Sequence, residues 1–160
     1  MNLITEKYKY ERLQRVEVNG KRRYLTPGGG KVASVTTILD ATKDKTHLIA
    51  WKKRVGEKKA QEIVTEASGV GTRMHKYLED YIEFGEWPTP GSNPYAKQAH
   101  KMASVIKENA MTDVDEIWGS EVPLFVPHLY AGTTDLVGQY KGNPCIICLL
   151  YTSPSPRDAT

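Results

Sequence analysis

Residues able to bind a divalent metal lie on two separate predicted elements of this chain. Asp135 lies on a short apolar strand, where Gly132 and Thr133 precede it with little bulk and leave room for a ligand. His75 lies upstream on a predicted helix, with Glu79 four residues further on and therefore on the same helical face. Carboxylate and imidazole groups can hold a cation that activates water for phosphodiester hydrolysis. The pattern indicates half of a metal-dependent nuclease site.

Each of these residues also has an ordinary structural interpretation. An isolated strand aspartate is more often solvated, a lone histidine is more often half-buried and hydrogen-bonded, and Glu79 is more often part of an exposed helix face. A metal role for His75 is favoured by its expected position one turn into a helix, where the dipole disfavours the charged ring. Glu79 could then orient that ring. Glu121 lies on another predicted strand. Either it faces the same cleft, or it is one of the exposed residues that alternate along a strand.

The composition permits a nucleic-acid partner without requiring one. The chain has 160 residues and a net charge of +3, which permits one core and a polyanionic partner. It contains no apolar run of about 18 residues and no signal-peptide pattern, so we expect no membrane span and a cytoplasmic location, in a bacterial or phage-infected host cell. Cys145 and Cys148 have Cys-x-x-Cys spacing, but a zinc site needs a second ligand pair.

The hydrophobic pattern predicts helices followed by strands. Alternation on both sides of Asn19-Gly20 predicts an N-terminal β-hairpin. Ser34 is a predicted cap of a short helix ending at Leu39. Further helices are predicted over residues 46–68, 72–84 and 95–111, with a break at Gly69 and Gly71 and a cap at Thr72. Strands are predicted over residues 117–126 and 129–140 and from Cys145, so the fold class is α/β with a small central sheet flanked by helices.

Five segments together resemble the PD-(D/E)xK nucleases, and most closely the RecB/Cas4-type exonucleases, which include phage exonucleases and the mitochondrial genome maintenance exonuclease. The segments are Ser34-Val35-Thr36-Thr37-Ile38-Leu39, Leu48-Ile49-Ala50-Trp51, Gly71-Thr72-x-x-His75, Glu121-Val122-Pro123-Leu124 and Tyr130-Ala131-Gly132-Thr133-Thr134-Asp135-Leu136-Val137-Gly138. The resemblance covers about residues 8–147. It implies a restriction-endonuclease-like core, a Mg²⁺ or Mn²⁺ cofactor and a DNA substrate.

The resemblance also implies roles for individual residues. His75 matches the family's motif histidine, which touches a metal, and Asp135 matches its first acidic metal ligand. Glu121 matches an acidic position ahead of it and is taken as a third catalytic residue. The next family motif, an acid followed two residues later by lysine, falls where this chain has Cys148 and Leu150. A thiol and an alkyl group cannot replace a carboxylate and an ammonium at a hard-metal site, so the site as written is incomplete.

The final segment has a different character from the rest. From Cys148 the sequence runs Cys-Leu-Leu-Tyr-Thr-Ser-Pro-Ser-Pro-Arg-Asp, which looks like the translation of a sequencing-library adapter; an ordinary Ser/Pro-rich disordered terminus is the alternative. We therefore interpret residues 1–147 as the N-terminal portion of a nuclease domain and residues 148–160 as a non-native disordered tail.

DNA contacts are expected from basic and aromatic residues in three places, because lysines bind phosphates by charge and aromatic rings stack on single-stranded bases. The helical cluster is Trp51, Lys52, Lys53, Arg54, Lys58 and Lys59, the hairpin cluster is Lys21, Arg22, Arg23 and Tyr24, and Thr72 and Arg73 lie beside His75. Solvated surfaces explain the two basic clusters about equally well.

The sequence therefore predicts a metal-dependent DNA exonuclease that acts on single-stranded ends in replication, repair or recombination. The chain as given lacks the acid-x-Lys half of the site and is expected to be inactive. A catalytically silent module that binds single-stranded nucleic acid is the alternative function.

Overall fold

The computed structural model describes residues 3–149 and forms a mixed sheet with four α-helices, which confirms the predicted α/β class. In chain order the elements are β1 (Gln14–Val18), β2 (Lys21–Leu25), β3 (Lys31–Ser34), α1 (Val35–Thr42), α2 (Thr46–Val55), α3 (Glu57–Phe84), α4 (Pro94–Asn109), a 3-10 turn (Met111–Asp113), β4 (Val114–Val126), β5 (Tyr130–Tyr140) and β6 (Asn143–Ile147). No helix within residues 3–149 is long and apolar enough to cross a membrane.

The N-terminal hairpin is confirmed and closes at the predicted turn. β1 and β2 pair antiparallel from Gln14 opposite Leu25 to Val18 opposite Lys21. Asn19 and Gly20 have φ values of 52° and 70°, the left-handed conformation that a primed two-residue turn requires. β2 also pairs antiparallel with β3, and β3 joins the hairpin to the rest of the sheet.

The sheet forks at β5. One edge of β5 pairs antiparallel with β4 along almost its whole length. The opposite edge is shared by two strands, since β3 pairs parallel with Tyr130 and Ala131 while β6 pairs antiparallel from Leu136 to Tyr140. No strand pairing of the described chain occupies that edge between residues 131 and 136. β5 therefore has a gap in its hydrogen-bonded edge over four residues, and Asp135 lies within that gap.

The helix break predicted at Gly69 and Gly71 is wrong. α3 runs without interruption from Glu57 to Phe84, and the chain breaks instead at Gly56, whose φ of 85° suits glycine. Two mid-helix glycines cost about 1 kcal/mol each relative to alanine, which the packing of a 28-residue amphipathic helix overrides. Thr72 therefore caps nothing; its hydroxyl donates a hydrogen bond to the Ser68 carbonyl inside the helix.

The caps of the other helices follow the sequence more closely. Ser34 caps α1 as predicted, since its Oγ accepts a hydrogen bond from the Thr37 N–H, although the helix extends to Thr42 rather than ending at Leu39. Asn93 caps α4 in the same way by accepting from the N–H groups of Tyr95 and Ala96. Residues 85–93 form the loop that connects α3 to α4.

The main core lies between the α3–α4 pair and one face of the sheet. It is built from Val70, Met74, Leu78 and Ile82 of α3, small residues of α4, and Ile117, Leu136 and Leu149 from the strand layer. Leu78, Ile82 and Leu136 are fully buried. Tyr24, Val32 and Ala131 form a second, smaller core at the hairpin end. Because Leu136 and Met74 are both buried in the main core, their neighbours Asp135 and His75 are held at its margin.

Two glycine substitutions are expected to have opposite effects on stability. A Cβ on Gly138 would overlap the Glu116 carbonyl across the β4–β5 ladder, so Gly138→Ala should lower the free energy of unfolding by about 1–3 kcal/mol. A Cβ on Gly71 would meet nothing within 4 Å, so Gly71→Ala should raise it by about 0.5–1 kcal/mol. Urea titrations of both variants measure these changes. A neutral or destabilising Gly71→Ala would contradict the continuous α3.

Candidate metal centre

Asp135 occupies the gap in the edge of β5 and is held at both oxygens. Its Oδ1 lies 3.4 Å from His75 Nδ1, and its Oδ2 accepts a hydrogen bond of 2.8 Å from the Leu149 N–H. The side chain is 22 % exposed, so it is shielded but reachable from solvent. A carboxylate in this setting keeps lone pairs available for a further ligand, because each oxygen has about two acceptor sites.

His75 reaches this carboxylate from the middle of α3. It follows Met74, which is buried in the main core, and its own side chain remains 32 % exposed. The expected neutralising effect of a helix N-terminus is wrong for this residue, because α3 begins at Glu57, about five turns earlier, and the dipole effect fades within the first turn. The packing of α3 on the sheet, and not the helix dipole, brings the ring to Asp135.

Glu121 lies opposite Asp135 on β4. Ser120 pairs with Leu136 and Val122 pairs with Thr134, which leaves Glu121 and Asp135 facing each other between those pairs. Its φ is 48°, and the three other described non-glycine residues with positive φ, Asn19, His128 and Lys141, all lie in turns. A left-handed residue inside a strand costs on the order of 1–3 kcal/mol, and such strain concentrates at functional sites.

The three side chains converge on one point. Ligand atoms of His75, Glu121 and Asp135 all lie within 4.8 Å of one another. His75 and Glu121 also border an open cleft of about 450 Å³, which Gly71, Thr72, Lys76 and Glu79 line as well. One imidazole nitrogen and two carboxylate oxygens form a donor set that fits Mn²⁺ well and Mg²⁺ acceptably, because both prefer oxygen and Mn²⁺ also accepts nitrogen. The residues present therefore fit a hard divalent cation.

The electrostatics of the cleft are those of crowded negative charge. The pKa of the Glu121 carboxyl is raised, first because nearby protein atoms remove part of its hydration and then because Asp135, Glu79 and Glu83 are like charges close by, while His75 opposes the shift. A cation placed among these groups would relieve the repulsion that raises this pKa.

Glu79 borders the cleft but is not seen to orient His75. Its Oε2 lies 3.5 Å from Lys76 Nζ, and that ammonium also pairs with Asp80 at 2.8 Å. Among the described residues no hydrogen bond joins Glu79 to His75; the contact of the ring is to Asp135. Glu79 therefore acts on the site through its charge.

Residue 148 falls in line with the two acids across the sheet. Ile147 pairs with Leu136 and Ile146 with Val137, so continuing the same register sets Cys148 beside Asp135, on the side opposite Glu121. Cys148 is an exposed free cysteine, while Leu149 is 6 % exposed and belongs to the main core. These two residues of the predicted tail are therefore part of the described structure, and residues 150–160 lie outside it.

The predicted nucleic-acid contacts do not form one surface. Lys52, Lys53 and Arg54 are exposed in the last turn of α2, and Lys58 and Lys59 are exposed on α3, beyond the break at Gly56. On the hairpin, Arg22 is exposed and Arg23 is half-buried, while Tyr24 is only 6 % exposed in the smaller core. Trp51 is half-buried. Beside His75, Thr72 lines the cleft and Arg73 is exposed.

Sequence reasoning missed two contributors to this region. The backbone N–H of Leu149 donates a hydrogen bond to Asp135. Glu121 has a left-handed backbone conformation and lies beside Asp135 on the neighbouring strand. The Gly119-Ser120 dipeptide before Glu121 is a weak signal of irregular strand geometry. No protein-family model matches the chain, and no curated protein matches it in sequence.

The raised pKa of Glu121 predicts that Glu121→Gln increases thermal stability in a pH-dependent way. A carboxyl whose folded pKa is raised stabilises the fold only below its unfolded pKa, near 4.5, and that contribution is lost as the pH rises through the folded pKa. Glu121→Gln should therefore raise the melting temperature at neutral pH and leave it unchanged near pH 4 in metal-free buffer. Circular dichroism melts at both pH values test this.

Glu11→Gln is the matched control, because it removes the same charge from an exposed residue ahead of β1. A destabilising effect of Glu121→Gln at neutral pH, or equal gains in both variants, would contradict the charge crowding.

Proposed function

We propose that this chain carries the metal-binding half of a PD-(D/E)xK nuclease site of the RecB/Cas4 type and that its substrate is DNA. The observation that carries the proposal is the convergence of His75, Glu121 and Asp135 within 4.8 Å at the forked edge of β5. These three residues are distant in the sequence and correspond to the motif positions of that family. A cluster of exposed acids formed by chance would not be expected to combine a histidine from a helix with two acids from adjacent strands.

The chemistry proposed is hydrolysis of a phosphodiester bond. A bound Mg²⁺ or Mn²⁺ would supply Lewis-acid stabilisation of the phosphate and a water of lowered pKa. Asp135 and His75 hold the cation, and Glu121 completes the cluster or accepts a proton from water. Asp135 is fixed for this role by the Leu149 N–H, which donates to one oxygen while the other faces His75. Exonuclease action at single-stranded ends, in replication, repair or recombination, is the form we propose.

The second half of the site is what the chain as given lacks. Residue 148 extends the row formed by Glu121 and Asp135, which is the place for the acid of an acid-x-Lys motif, and a thiol stands there. Without that acid and its lysine, we propose that the 160-residue chain binds metal weakly and does not cleave. Single-stranded DNA binding without cleavage is the function that remains for this form, and the exposed cations of α2 and the hairpin favour it.

Restoring the two absent groups is the direct test. Cys148→Asp combined with Leu150→Lys should produce Mn²⁺-dependent degradation of single-stranded DNA that the parent chain lacks. It should also tighten Mn²⁺ binding at least about tenfold, since one added charge near the ion is worth more than the 1.4 kcal/mol of a tenfold change at an effective dielectric of about 20. Calorimetry and release of acid-soluble nucleotides measure the two effects.

The same double variant carrying Asp135→Asn is the control and should show neither effect. Its isosteric amide keeps the acceptor for Leu149 but removes the ligand charge. Cleavage that survives Asp135→Asn, or Mn²⁺ affinity that does not respond to Cys148→Asp, would overturn the proposed site.

A further inference from the structure

A second, larger groove lies away from the metal centre, between the hairpin and α1. It encloses about 830 Å³ and is lined by Gly20, Lys21, Arg22, Thr36, Thr37, Asp40, Ala41, Lys43 and Lys45. The lining thus holds four cationic side chains and one acid, with no aromatic and no large aliphatic residue. Pockets for drug-like molecules are mostly apolar, so this groove suits a polyanion.

The positive charge of the groove is largely uncompensated. Asp40 pairs with Lys45 at 3.0 Å. Within residues 3–149, Lys21, Arg22 and Lys43 form no ion pair, and all three are exposed. Like charges placed around one concavity, whose single acid is already paired, repel one another, and a bound anion would relieve that repulsion.

The walls of the groove are held in fixed relation by the fold. The Thr37 hydroxyl donates to the Arg22 carbonyl at 3.3 Å and contacts Ser34 Oγ at 2.7 Å, which ties the start of α1 to the hairpin. Lys21 leaves the tight turn at Gly20, so its backbone is also fixed. A fixed concave set of cations suits a chain of phosphates.

The strand register sets the spacing between this groove and the metal centre. Ser34, directly before α1, pairs with Ala131 on β5, and Asp135 lies four residues further along the same strand. At about 3.3 Å per residue and 4.8 Å between strands, the start of α1 is roughly 14 Å from Asp135. A few nucleotides of a single strand span that distance. One strand can therefore reach both places.

We infer that this groove binds the phosphate backbone of single-stranded DNA and holds the strand a few nucleotides from the candidate metal centre. The choice of ligand rests on the proposed nuclease function, but the binding itself needs neither a metal ion nor Asp135. The groove recognises phosphates by charge and, lacking an aromatic ring, does not distinguish bases. It differs from the basic cluster on α2, none of whose residues line it.

The test is binding of a fluorescein-labelled oligothymidylate of about 20 nucleotides, followed by anisotropy in EDTA. Lys21→Glu with Lys43→Glu should weaken binding at least about tenfold and reduce the slope of log affinity against log salt by about 1.4, which corresponds to two lost phosphate contacts. Lys97→Glu with Lys101→Glu makes the same charge change on exposed residues of α4 and is the matched control, which should keep the parental slope. Thermal melts of both variants check that each is folded.

Each outcome decides the inference. Loss confined to the groove variant supports it, as does unchanged binding by Asp135→Asn. Equal loss in both double variants would show only general attraction between charges and would overturn it, and so would the absence of binding by the parent chain. Displacement of the oligonucleotide by low concentrations of thymidine triphosphate would assign the groove to a small phosphorylated ligand instead. Failure of metal-dependent cleavage by the Cys148→Asp, Leu150→Lys variant, with groove binding intact, would overturn the proposed catalytic function alone.

Discussion

The divided edge of β5 is the constraint on which the rest of this structure depends. A strand offers one row of backbone groups on each side, and β5 gives one side to β4 while β3 and β6 divide the other. Among the described residues, these two partners leave residues 132–135 of that edge unpaired. Asp135 lies in that gap, where the absence of a neighbouring strand on one side leaves room for a side chain from α3 and for the backbone of Leu149.

The packing of α3 converts this gap into a site. Val70, Met74, Leu78 and Ile82 recur at intervals of four residues and fix the rotation of the helix against the sheet. His75 follows Met74 and must therefore lie at the margin of the packed stripe. An interruption near Gly71 would uncouple its direction from that of Leu78 and Ile82. The unbroken helix thus accounts for a histidine positioned within 3.4 Å of an acid 60 residues away in the chain.

Most of the local structure was predictable because it depends on local chemistry. The Asn19-Gly20 turn, the Ser34 cap and the final strands follow from turn residues, capping groups and alternation. The helix break was misplaced because glycine propensity is a weak preference, which the burial of one long apolar stripe outweighs. His75, Glu121 and Asp135 were candidates from residue type and placement, and the resemblance assigned their roles. The positive φ of Glu121 and the groove beside α1 arise from long-range contacts that no local pattern encodes.

Electrostatic cost links the two proposed binding regions. In the candidate metal centre, desolvation and then the neighbouring carboxylates raise the pKa of Glu121, while in the groove three described cations form no ion pair. Both arrangements oppose folding, because like charges held together in the native state separate in the unfolded chain. The charges at the two places have opposite signs and lie roughly 14 Å apart by strand geometry. Salt screens charges over that distance, so neither place neutralises the other in physiological salt. Each remains available to a ligand of its own, which on our proposals is a cation in one and phosphates in the other. We therefore interpret the uncompensated charge at both places as a capacity to bind ligands that lowers the stability of the fold.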